Sequence, residues 1–200
     1  MSCQPVELVV LVSGTGTLLQ AILDNQPTSG DGGYRVTLVV ADKECPALDR
    51  ARRAGVEAAV VEMEADRGAW NARLAETVAA AHPDLVVSAG FMRILGPEFL
   101  ERFQGRTINT HPSLLPAFPG ADAVGDALAY GVKVTGCTVH YVDAGVDTGE
   151  IIAQRAIAVE DGDTKESLHE RIKQAEREQI VALLGRAQLH QETGNGKVTF

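Results

Sequence analysis

An amide and an imidazole stand two residues apart at Asn109 and His111, within the run Asn-Thr-His-Pro-Ser-Leu-Leu-Pro-Ala-Phe-Pro that spans residues 109–119. In extended backbone, residues two apart project to the same side, so both side chains can address one substrate. An amide N–H can stabilise a developing oxyanion; an imidazole can do that or move a proton. Pro112, Pro116 and Pro119 forbid continued helix or central strand. With the short β-prone stretch Arg106-Thr107-Ile108 ahead of it, the pattern is a strand end running into a rigid loop, where open α/β sheets place their chemistry. The spacing alone equally describes an ordinary loop histidine.

A second chemistry-bearing stretch lies near the N-terminus. Residues 7–14 form a β-branched and Leu run ending in Gly, the signature of a strand buried on both faces of a parallel sheet. Residues 17–24 read as a helix with Leu18, Leu19 and Ile22 on its apolar face. Strand, Gly-rich loop and helix in succession suit a phosphate held by the first helical amides. A dinucleotide fingerprint wants a third small residue at position 19, where Leu19 stands, which favours a monophosphate over NAD. Gly-x-Gly is also a steric solution to a tight turn.

Further elements must position these two stretches. Strands are expected over residues 34–41, 57–62, 84–90 and 107–110, and a helix over 46–54 stopped by Gly55. Asp66 caps a helix whose face is Trp70, Leu74, Thr77, Val78 and Ala81, with Trp70 packing rather than stacking on a ligand. Residues 91–97 follow a buried strand and offer apolar side chains to a flat heterocycle, although Met92, Ile94 and Leu95 could equally pack a helix start. A helix over 122–130 ends at Gly131. Residues 134–142 and 151–159 read as an antiparallel pair on the sheet's edge, joined by a loop carrying Asp147. His140, inside the first of them, reads as a buried structural histidine close to the site. A long amphipathic helix over 164–189, capped by Thr164, puts Lys173 and Glu176 on one face, and the tail over 192–200 reads as a short edge strand. The fold class is therefore α/β: one domain over residues 1–200, a Rossmann-like, mostly parallel sheet flanked by helices, with antiparallel edge strands.

Composition narrows the function classes. A chain of 200 residues with 45% apolar and 22% charged content can bury a sizeable core. The net charge of −9 argues against a nucleic-acid partner and requires a locally positive pocket for any anionic substrate. The absence of an apolar run near ~20 residues and of a signal-peptide pattern leads to the expectation of a cytoplasmic protein without a membrane partner. Cys3, Cys45 and Cys137 have no metal-like spacing and are odd in number, so they read as reduced thiols, with neither a disulfide framework nor a metal site. A homodimer is allowed by the sequence but not dictated by it.

Asn109-Thr110-His111-Pro112-Ser113-Leu114-Leu115-Pro116, with Asp143-Ala144-Gly145-Val146-Asp147-Thr148-Gly149 downstream, resembles the signature of the folate-dependent formyltransferases. Ser13-Gly14-Thr15-Gly16-Thr17 and Ala89-Gly90-Phe91-Met92-Arg93-Ile94-Leu95 extend the likeness over residues 6–176, most closely to the members acting on glycinamide ribonucleotide (GAR). The resemblance implies transfer of a formyl group from 10-formyltetrahydrofolate, as co-substrate, to the GAR amine in purine synthesis, without a metal. It implies Asn109, His111 and Asp147 as catalytic residues and Gly16, Thr17, Leu18, Lys173 and Glu176 as GAR-binding. It assigns the folate to Arg67, Met92, Arg93, Ile94, Leu95, Asn109, Asp143, Ala144, Gly145, Val146 and Asp147. Leu18 replaces a polar residue common in the family, leaving the backbone N–H, and the histidines or asparagine common near positions 122 and 124 are Asp122 and Val124.

The chemistry suits those residues. Amine attack on a formyl carbon gives a tetrahedral intermediate with a negative oxygen, which the Asn109 amide and a protonated His111 can stabilise. His111 can then protonate the departing folate nitrogen, while Asp147 orients it by charge attraction and helps shuttle the amine proton through water. Formylfolate deformylases share the three residues but usually carry a preceding regulatory domain, and tRNA and amino-sugar formyltransferases normally carry a following one. The expectation is that this chain has neither. A non-catalytic nucleotide-binding module would need only the Gly loop.

Overall fold

The computed structural model describes residues 4–27, 33–190 and 197–200. β1 (Val6–Val12) is an almost fully buried strand flanked on both edges by parallel neighbours, β2 (Tyr34–Ala41) and β4 (Leu85–Ser88). Its alternation divides the core into two layers. Leu8, Val10 and Val12 pack with α1 (Thr17–Asp24), α2 (Pro46–Arg53) and the C-terminal half of α6 (Lys165–Leu184). Val9 and Leu11 face α3 (Arg67–Ala80) and α4 (Pro97–Phe103), meeting Trp70, Leu74, Phe99 and Phe103. The unbroken apolar run from Leu8 to Val12 is thus required by helices on both faces.

With β3 (Glu57–Val60), β5 (Thr107–His111), β6 (Val134–Tyr141) and β7 (Ile151–Ala158), the sheet has seven strands in the order β3-β2-β1-β4-β5-β6-β7. The pairs from β3 through β5 are parallel; β5·β6 and β6·β7 are antiparallel. From β1 the chain winds outward through β2 and β3, then returns to β4 and winds the other way. The crevice beyond the C-terminal ends of β1 and β4 is therefore the topological switch point, where such sheets bind ligands. α5 (Ala123–Tyr130) follows the proline loop and ends on left-handed Gly131.

Asp66 caps α3 by accepting from the Gly68 and Ala69 amides. Thr164 and Ser167 form a capping box on α6. Trp70 is fully buried, with its indole N–H donating to the Val61 carbonyl at 3.0 Å. Cys137 lies buried in β6, its thiol 3.1 Å from Gln179 Oε1 and pushed up to about 12 by burial. Cys3 lies outside the described residues.

The C-terminal region departs from the sequence reading. α6 stops at Leu184 with Gly185 as its C-cap, not at Leu189. Beyond it, Ala187 and Leu189 turn onto the β1 core layer while the backbone pairs as β8 (Gln188–His190) with β9 (Lys197–Thr199). The tail strand thus belongs to a separate two-stranded antiparallel sheet, not to the edge of the main one. The remainder of that predicted strand, residues 192–196, is outside the described residues. Apolar spacing sustained past Gly185 misled the helix reading because both conformations present those side chains to the same core. No helix among the described residues is long and apolar enough to cross a membrane.

Candidate active site

Two cavities open at the switch point. The first, of about 250 Å³, is lined by Gly14 to Leu18 on one side and by His169, Lys173, Glu176 and Arg177 of α6 on the other. Gly16 makes this wall possible. Its φ is +71°, and a Cβ there would lie 2.6 Å from the Ala47 Cβ, so only glycine permits the loop to close on α2. Gly16 is the N-cap of α1 and brings no side-chain cap, leaving the first amides of the helix available to an anion. Lys173 and Arg177, one turn apart, supply the local positive charge that a protein of net charge −9 needs there. Burial pushes the Glu176 carboxyl up to about 7, although Thr110, Lys173 and Arg177 all act in the opposite direction. Burial, reinforced by Lys173, holds His169 below the ordinary imidazole value.

The second cavity, of about 320 Å³, is lined by Met92 to Leu95, by Asn109 and His140, and by Asp143, Gly145, Val146 and Asp147. Met92 and Ile94 are 76% and 64% exposed, an apolar wall left open. That wall is braced from several directions. Ser13 Oγ accepts from the Met92 amide at 2.9 Å, tying the wall to the Gly loop. Asn71 accepts from the Gly96 amide at 2.7 Å. Arg93 Nε donates to Asp42 Oδ2 at 2.6 Å, and Asp42, buried at the end of β2, has no partner for its other oxygen among the described residues. Met92 lines both cavities.

Between the cavities stands the end of β5. Asn109 lines the second cavity, Thr110 the first, and His111 is 4% exposed. His111 Nδ1 lies 3.3 Å from Asp147 Oδ2 and Nε2 lies 2.8 Å from the Phe118 carbonyl oxygen. Both ring nitrogens face oxygen acceptors, so the ring satisfies both only when each nitrogen carries a proton. Asp147 is shared: Oδ1 lies 3.6 Å from His140 Nε2, and Oδ2 accepts the Gly120 amide at 2.9 Å. Burial opposes the Asp147 charge, but His140, the Gly120 amide and His111 outweigh it and hold the carboxyl below its ordinary value. Asp147 and Phe118 both have positive φ, +55° and +54°. A non-glycine residue in that region costs about 1–3 kcal/mol, so the pinned loops around His111 hold two strained points in place.

The structure brings together Asn109, His111 and Asp147, and gathers Gly16, Thr17, Leu18, Lys173 and Glu176 around the first cavity. Leu18 contributes a half-buried apolar side chain. Two of the predicted folate residues stand apart. Arg67 does not line the second cavity: its guanidinium lies over the Trp70 ring at 5.0 Å and donates to the Ile94 carbonyl at 3.2 Å, bracing the wall from outside. Ala144 is exposed at the loop tip and likewise does not line it. Sequence reasoning missed Ser13, Asp42, His169 and Arg177 as site residues. Only His169 and Arg177 carried a signal, lying four residues either side of Lys173 on the helix face it identified.

A sheet whose switch point joins an anion cavity to an apolar cavity, with an amide, an imidazole and a carboxylate at the junction, defines an α/β group-transfer site. The chain belongs to the formyl transferase family, which it matches over residues 6–184. It is 55% identical to a phosphoribosylglycinamide formyltransferase of Mycobacterium tuberculosis, over 96% of this chain and 90% of that protein. It is 40% identical to the human trifunctional purine biosynthetic protein adenosine-3, over 96% of this chain and 20% of that longer protein. The crystal structure of glycinamide ribonucleotide transformylase 1 from Symbiobacterium toebii is similar, with a TM-score of 0.86 and 43% identity, covering 98% of this chain and 95% of that one.

Proposed function

We infer that this protein transfers the formyl group of 10-formyltetrahydrofolate to the amine of GAR, giving formyl-GAR and tetrahydrofolate in purine biosynthesis. The observation that carries the reading is the meeting of the two cavities at β5. A ribonucleotide phosphate fits the amides of Gly16, Thr17 and Leu18, with Lys173 and Glu176 toward the rest of the nucleotide. A pteridine fits the wall of Met92, Ile94 and Leu95, with Asp143 to Asp147 opposite. The amine and the formyl carbon then meet beside Asn109 and His111.

In this reading Asn109 donates to the oxyanion of the tetrahedral intermediate, and a protonated His111 joins it by exchanging the Phe118 carbonyl for the oxyanion at Nε2 while Nδ1 stays on Asp147. As that intermediate collapses, the C–N bond to the folate nitrogen breaks and His111 returns a proton to the leaving nitrogen. Asp147 fixes the ring and receives the amine proton through water. Residues 1–200 act as one formyl-transferring domain on two small-molecule substrates. The test is the absorbance change on deformylation of a 10-formylfolate donor, with and without GAR. Turnover dependent on GAR supports the transferase; equal turnover without GAR replaces it with a hydrolase.

A further inference from the structure

We propose that Arg50 is a positioning residue for the nucleotide phosphate: from behind the Gly loop it turns the Thr15–Gly16 peptide so that the Gly16 amide faces the first cavity, and it strengthens that amide as a donor. The inference rests on the reading that a ribonucleotide phosphate sits on this loop, and deepens it.

Arg50 is a half-buried residue of α2. Its Nε donates to the Thr15 carbonyl at 2.8 Å and its Nη1 to Gln20 Oε1 at 2.9 Å. A guanidinium only donates and a carbonyl only accepts, so the direction of the first bond is fixed by the groups themselves. Gln20 is held in turn by Asp24, which accepts from its Nε2 at 2.8 Å and so leaves Oε1 toward Arg50. One arginine thus ties the loop to α1. The Gly14 carbonyl, next in the loop, accepts from the Ala47 amide at 3.1 Å, so the carbonyls of Gly14 and Thr15 are both turned onto α2.

The Thr15 carbonyl and the Gly16 N–H belong to one trans peptide group and point in opposite directions. Holding the carbonyl against Arg50 sends the N–H the other way. Gly14 to Leu18 line the first cavity and Arg50 does not, so the guanidinium stands on the outer side of the loop. A charged donor on the carbonyl also polarises the peptide, which makes its N–H a better donor to an anion. The charge is not neutralised locally. Arg52, on the same helix, pairs with Glu44 and Asp49, whereas among the described residues Arg50 has no carboxylate partner and both its acceptors are neutral. Arg50 is therefore one peptide group removed from the phosphate, and adds positive field where a chain of net charge −9 needs it.

The test crosses a change in the protein with a change in the ligand. Equilibrium affinities for GAR and for its dephosphorylated riboside are measured on the native protein and on Arg50→Met, whose stem still fills the space beside Gly16 but carries neither donors nor charge. Arg50→Met is expected to weaken GAR about tenfold and to leave the riboside within about twofold, because only the phosphate feels the missing group. In turnover, KM for GAR rises about tenfold while KM for the formylfolate stays within about twofold. Arg50→Lys, which keeps the charge and a single donor, falls between the native protein and Arg50→Met. Undiminished GAR affinity in Arg50→Met overturns the proposal. An equal loss for both ligands also overturns it, since the arginine would then only hold the fold. A native protein that binds GAR no more tightly than the riboside overturns it together with the phosphate site. A native enzyme that favours the phosphorylated ligand but shows no GAR-dependent turnover removes the formyl-transfer reading alone, and the comparison of the two ligands still decides the role of Arg50.

Discussion

The two cavities at the switch point are built from different materials. The cavity at the Gly loop has a regular wall on each side: the start of α1, whose first backbone amides have no side-chain cap, and one face of α6, where charge recurs at one-turn spacing. The apolar cavity is made of two loops, residues 91–95 and 143–147, held in place by contacts from distant parts of the chain. Those contacts include Ser13, Asp42 and Asn71 at the first loop and its following turn, and the Gly120 amide, which donates to Asp147, at the second. A phosphate needs only donors at a fixed spacing, which a helix end provides from local sequence. A flat heterocycle needs a shaped slot, which loops provide only when something else makes them rigid. Nucleotide affinity should therefore respond to local changes, whereas folate affinity should respond to changes well away from the ligand.

The largest effect is expected at the junction, which serves both cavities. His111→Ala should lower turnover by ~10² or more while leaving GAR affinity within about twofold, since it removes a donor used in the transition state. Single-turnover rates and equilibrium binding of GAR measure the two halves, and an undiminished rate would take His111 out of the reaction.

Thr17→Asp tests the nucleotide side. An acidic residue in the first turn of α1 suits the helix but repels a phosphate, so the fold should persist while KM for GAR rises by roughly tenfold. An unaltered KM would place the phosphate elsewhere. Asp42→Asn tests the opposite side. It removes the ion pair holding Arg93, and KM for the formylfolate should rise several-fold, about 3- to 10-fold, with KM for GAR unchanged. Equal effects on both substrates would erase the distinction between the two cavities.

Glu176 links the nucleotide cavity to pH. Its folded pKa, pushed up to about 7, lies above the unfolded value, so the folded state holds this proton more tightly. Its contribution to stability is therefore best in acid and is lost as pH rises from about 4.5 toward about 7. Glu176→Gln should remove that dependence and relatively stabilise the protein at pH 8, by on the order of 1–3 kcal/mol, read as the thermal midpoint against pH. A parallel pH curve in the variant would mean that the carboxyl ionises freely. The smallest change is expected for Arg67→Ala, which removes only an outside brace: KM for formylfolate should rise by no more than about threefold. A tenfold rise would mean that Arg67 touches the ligand after all.

Much of this molecule was legible in its sequence wherever a residue's role follows from its neighbours in the chain. The run of apolar residues in β1 requires burial on both faces; Asp66, Thr164 and Gly131 mark helix ends by local hydrogen bonding or φ; Gly16 marks the turn into α1. Asn109 and His111 share a strand end by period alone, and the family resemblance supplied Asp147. Tertiary structure decided the rest. Asp147 reaches both His111 and His140 because β6 returns antiparallel to β5, a pairing that adjacent residues do not specify. Arg67 lies outside the second cavity because Trp70 and Ile94 offer its guanidinium a surface and an acceptor. The end of α6 was misplaced because helix and strand bury the same apolar side chains beyond Gly185. Local sequence determines conformation where one residue's geometry excludes the alternatives; which distant groups share a charge or a proton is decided only when the chain has folded and packing has fixed their separation.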